Sequence, residues 1–111
     1  MSAYIVDLDG TLFKFGTNDF LPGAKDFLDF IKDNGHQLIL TTRRGEDWDY
    51  HNVFSKAKTL QALKRLGIEY HSIVFEVESP RIVINDDGCS AINVVINDGI
   101  RKEDYMEKVD K

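Results

Sequence analysis

Three apolar runs in this chain stop at residues that carry a charge or a hydroxyl, and no other feature constrains the fold as much. Residues 3–8 lead into Asp7, Asp9 and Gly10. Residues 37–42 centre on Leu38, Ile39 and Leu40 and end in Thr41 and Thr42, and residues 81–85 run into Asp86 and Asp87. Each run is too short for a helix and reads as a buried strand. Between the first two, Pro22 can open a helix where its missing N–H costs nothing. Ala24, Phe27, Leu28 and Ile31 then follow at helical spacing, and Asn34-Gly35 supplies a stop. Val53, Ala57, Leu60, Leu63 and Leu66 mark a second helical face with Gly67 at its end. Residues 72–77 and 91–96 read as two more strands, Glu78-Ser79-Pro80 divides the third strand from the fourth, and residues 101–111 read as a short charged surface helix. The alternation predicts an α/β fold around a mostly parallel five-stranded sheet with right-handed crossovers.

In such sheets, ligands bind beyond the carboxyl ends of the strands. That rule gathers Asp7, Asp9, Thr41, Thr42, Asp86 and Asp87 at one edge. Asp7 and Asp9 are two residues apart, so in an extended segment they point to the same side. Gly10 then lets the chain turn sharply. A third carboxylate from Asp86 would complete an anionic cluster, which is costly unless a cation neutralises it. An oxygen-lined cluster suits Mg²⁺, and Mg²⁺ commonly accompanies phosphorylated ligands. Taken as residues alone, Asp7 and Asp9 read equally well as strand-ending turn formers, because Asp-Gly is a common turn pair.

With 111 residues there is room for one domain, residues 1–111. The 14 Lys+Arg against 19 Asp+Glu give a net charge of −5, which argues against a broad nucleic-acid-binding surface. No run approaches the ~20 apolar residues of a membrane span. The first residues lack the basic flank and apolar stretch of a secretory signal, and the single cysteine, Cys89, cannot form an internal disulfide. A cytoplasmic setting is the resulting expectation. His36, His51 and His71 are scattered without metal-ligand spacing and read as packing or surface residues.

Asp7-Leu8-Asp9-Gly10-Thr11-Leu12 resembles the first motif of the haloacid dehalogenase superfamily, D-x-D-G-T-L after an apolar strand. Leu21-Pro22-Gly23-Ala24 is similar to the helix start that follows in many members. The run from Leu38 to Arg43 resembles the second motif, and the run from Ile82 to Gly88 the acidic fourth motif. Order and spacing fit over nearly the whole chain. The resemblance implies a Rossmann-like three-layer core and a Mg²⁺-dependent phosphomonoester hydrolase. In that scheme Asp7 attacks phosphorus to form an aspartyl-phosphate, and Asp9 serves as acid and then base. Asp7, Asp9 through its carbonyl, and Asp86 hold Mg²⁺; Asp87 holds a metal-bound water or starts the turn at Gly88. Thr41, rather than Thr42, donates to the phosphoryl group.

The likeness fails at the third motif, whose Lys has no counterpart in residues 72–80. Arg81 is the nearest cation, with Lys56 as the other candidate; Lys58 and Lys64 read as a solvated helix face. No segment is long enough for a cap domain, so the resemblance is to capless members, whose open sites a second copy of the chain can cover. The loop after the second motif offers Arg43 and Arg44 to an anionic group and Trp48 and Tyr50 for stacking on a sugar or base. The expected substrate is a small phosphorylated metabolite such as a sugar phosphate. The alternatives are a nucleotide or nucleic-acid-end phosphatase, and a phosphate- or metal-binding regulatory module without turnover.

Overall fold

Alternation along two neighbouring strands decides where the core lies. In the computed structural model, which describes residues 1–45 and 54–109, the elements are β1 (Ala3–Asp7), α1 (Ala24–Asp33), β2 (Gln37–Thr41), α2 (Lys56–Arg65), β3 (Ser72–Val74) and α3 (Lys102–Val109). β1 and β2 pair in parallel, Tyr4 opposite Leu38 and Val6 opposite Leu40, so these four share one face. Val6, Leu38 and Leu40 are buried there with Ala24, Phe27 and Ile31 of α1 and Leu63 of α2. The opposite face leaves Ile5 exposed. β3 adds to β2, giving a parallel sheet of order β1-β2-β3.

Both longer helices stop where glycine allows it. After α1, the Gly35 amide donates to the Lys32 carbonyl and the His36 amide to that of Ile31. After α2, the amides of Gly67 and Ile68 donate in the same way to Lys64 and Leu63. Each is a Schellman turn, with φ of 68° at Gly35 and 71° at Gly67. At the other end of α2, the Ser55 hydroxyl accepts from the Lys58 amide at 3.1 Å. Gly23, which precedes α1, has a steric reason to be glycine. Its φ is 79°, and a Cβ there would strike the carbonyl oxygen of Ile100.

The terminal helix is docked rather than merely superficial. Asp104 reaches back to the Arg101 amide at 2.8 Å, half of a capping box at the start of α3. Tyr105 is buried edge-on against Phe27, ring centroids 4.9 Å apart, and lies 4.8 Å from Phe30. Burial pushes the Tyr105 phenol above its ordinary value, helped by the Asp26 carboxylate, and burial alone does so for Tyr4. His36 completes this aromatic layer, and its Nδ1 accepts from the Ser2 amide.

Three strands, not five, form the sheet among the described residues. Residues 81–85 have the composition of a strand, yet Ile82 is 86% and Ile84 95% exposed. A strand needs a neighbour's backbone in register, and residues 81–85 are not paired with β1, although the Arg81 guanidinium is bound to Asp7 at its carboxyl end. Residues 91–96 are diverted differently: the chain just after them spends its amides on two separate loops, Asn97 on the Gly10 carbonyl and Ile100 on that of Pro22. No helix among the described residues is long and apolar enough to cross a membrane.

Candidate functional site

The chain leaves β1 through a tight turn that projects two carboxylates while burying the residues around them. The Leu8 carbonyl accepts from the amides of Thr11, Leu12 and Phe13, and Leu8, Leu12 and Phe13 are fully buried. Gly10, at φ 84°, makes the reversal. Asp7 and Asp9 remain on the wall of a cavity of about 650 Å³, together with Thr11, Arg43, Arg44 and Arg81.

Each carboxylate faces an arginine. Arg81 Nη1 donates to Asp7 Oδ1 at 2.8 Å, and Nη2 to the Val77 carbonyl at 3.2 Å. The Thr11 hydroxyl makes a long contact of 3.4 Å with the other Asp7 oxygen. Arg44 Nη2 donates to Asp9 Oδ1 at 2.7 Å and Nε to Oδ2 at 3.0 Å, a side-by-side pair. The two pairs differ in setting. Arg81 and Asp7 are about three-tenths exposed, whereas Arg44 is sealed beneath the surface. Its guanidinium lies over the rings of Phe13 and Phe54, 5.6 and 5.2 Å from their centroids.

The other expected site residues are distributed unevenly. Arg43 lines the cavity and meets Glu78 at 3.7 Å on the surface. Thr41 pairs with Asp7 across the ladder, and Thr42 is buried, its hydroxyl accepting from the Arg44 amide and making a long contact of 3.5 Å with Asp9 Oδ2; neither lines the cavity. Lys56 Nζ lies 5.9 Å from the Phe75 ring centroid rather than on the cavity wall. Asp86 and Asp87 are exposed and are not brought to Asp7 and Asp9. The Asp86 carboxylate accepts from Asn85 Nδ2 and from the Gly88 amide. Trp48, Tyr50 and His51 lie outside the described residues. Cys89 is exposed.

Mg²⁺ does not fit these carboxylates as they are arranged. The Asp7 carboxylate is engaged by the Arg81 guanidinium, Asp86 is turned elsewhere, and no three His, Cys, Asp or Glu groups among the described residues converge on a common point.

Two residues of this arrangement were weakly marked in the sequence. Arg44 had a usable signal: Leu38 and Leu40 face the core, and continuing their two-residue period reaches Thr42 and Arg44. The same alternation turns Arg43 outwards. Thr11 was marked only as a member of the D-x-D-G-T-L motif; its approach to Asp7 depends on the turn at Gly10.

No protein-family model matches this chain, and no curated protein matches it by sequence. Its fold is similar to the crystal structure of a hypothetical protein from Pyrococcus horikoshii OT3, at 23% identity and a TM-score of 0.49. The match covers 68% of this chain and 26% of the other, so the present chain spans about a quarter of that protein's length.

Proposed function

We propose that the cavity at the end of β1 takes a phosphate monoester and that Asp7 is its nucleophile, in the manner of the haloacid dehalogenase phosphatases that the D-x-D-G-T-L motif resembles. The observation that carries this reading is the pairing of Asp7 with Arg81 on one cavity wall. A carboxylate nucleophile and a forked cation stand side by side, and an incoming phosphoryl group can take the cation. Arg81 transfers from Asp7 to phosphoryl oxygens, which offsets repulsion between the two anions. An Asp7 oxygen then forms a bond to phosphorus as the bond to the leaving oxygen breaks. Asp9 takes up a proton from solvent on Oδ2, in place of its contact with Arg44 Nε, and gives it to that oxygen; it afterwards takes one from the water that cleaves the aspartyl-phosphate to free Asp7 and inorganic phosphate. These steps run through the chain's own groups. The substrate class in this reading is a small phosphorylated metabolite.

The same ion pairs favour a second reading, a phosphate-binding module without turnover, because both carboxylates already have cationic partners. Hydrolysis of an aryl phosphate, with and without Mg²⁺, by the unaltered chain and Asp7→Asn decides between them. The enzymatic reading expects turnover, a phosphorylated Asp7 after acid quenching, and neither in a folded Asp7→Asn protein. Phosphate binding with no turnover under either condition selects the module.

A further inference from the structure

The Arg44 side chain is only 1% exposed, yet it reaches three separate parts of the chain. All five of its N–H groups have an acceptor. Nε serves Asp9, and Nη2 serves Asp9 Oδ1 and the Thr17 carbonyl at 2.8 Å. Nη1 serves Asn18 Oδ1 at 2.6 Å and the Thr59 hydroxyl of α2 at 3.3 Å. One planar group thus holds the cavity's second carboxylate, the loop after the motif, and the second helix. That loop also carries Phe15, which lines the cavity.

We propose that Arg44 is the positioning residue of the site, fixing the Asp9 carboxylate and the 14–19 loop as one unit. The inference rests on the phosphoryl-transfer reading for its catalytic meaning, while its structural content is independent of it. Loop and carboxylate share a single rigid donor, so a shift of the guanidinium breaks bonds to both. A lysine keeps the charge but has three donors on one atom, which cannot span Asp9, Thr17 and Asn18 together. Charge and orientation are therefore separable by substitution. Misplacing a reacting group by about 1 Å is enough to lose about 100-fold in rate.

The test compares the full-length unaltered chain with Arg44→Lys and Arg44→Gln by thermal melting, amide hydrogen exchange and aryl phosphate hydrolysis. Exchange at residues 14–19 should rise about tenfold or more in both variants, while the Leu38 and Leu40 amides keep their protection. Arg44→Lys should recover most of the melting temperature yet remain about 100-fold down in kcat with little change in KM. Unchanged exchange at residues 14–19 overturns the inference. So does a lysine variant whose kcat returns along with its stability, since that describes a merely structural arginine. If the unaltered chain hydrolyses nothing, the phosphoryl-transfer reading fails, and the exchange data alone decide whether Arg44 fixes the loop.

Discussion

Arg44 and Asp9 lie 35 residues apart in sequence and meet as a near-parallel pair, Nη2 to Oδ1 at 2.7 Å, with 1% and 13% of their side chains exposed. Asp7 and Arg81 form the companion pair at 2.8 Å, but nearer to solvent. Two acidic residues of one motif therefore sit in different dielectric surroundings, and their substitution has different consequences.

Asp9→Ala should destabilise the protein far more than Asp7→Ala. Removing Asp9 leaves a buried guanidinium short of its main partner, a loss of about 3–5 kcal/mol. Removing Asp7 breaks a partly solvated pair, worth about 0–1 kcal/mol. Denaturant unfolding of both variants measures the difference, and equal losses would show that the Arg44 pair is not buried in solution. A consequence for enzymology is that a loss of activity in Asp9 variants has to be corrected for the fraction folded. Asp7→Asn needs no such correction.

Arg81→Ala should lower aryl phosphate turnover by about 100-fold with little change in melting temperature, because it removes one donor to the transferring group and only a partly exposed ion pair. Lys56→Ala should stay near the unaltered rate, since Lys56 is off the cavity wall. The reverse pattern would assign the missing cation to the helix.

Alkali should unfold the protein partly through Tyr105. Burial first, and the Asp26 carboxylate second, raise its pKa above the ordinary 10.0. The unfolded chain loses the phenol proton near that ordinary value, while the folded chain holds it to higher pH. The stability this group contributes is therefore fully present below pH 10 and is lost as pH rises through the folded value. Melting curves above pH 9 should fall less steeply for Tyr105→Phe than for the unaltered chain. Identical slopes would place the alkaline sensitivity elsewhere, with Tyr4, raised by burial, the next residue to test.

Short-range architecture was legible along the chain. The apolar runs at residues 3–8 and 37–42 became β1 and β2, Asn34-Gly35 and Gly67 became helix stops, and Asp7 and Asp9 came to the carboxyl end of β1. These features depend on side-chain alternation, helical period and the left-handed backbone of glycine, all of which act within a few residues. Tertiary structure alone decided which cation meets which carboxylate, and whether an apolar run becomes a strand. Arg81 and Asp7 are 74 positions apart, and no local pattern brings them together. Residues 81–85 have strand composition, but a strand exists only where a neighbour offers its backbone in register, and these residues are exposed and outside the sheet. Asp86 stays outside the cavity, its carboxylate turned to the Gly88 amide, because its place follows the path of the chain rather than the likeness of a motif.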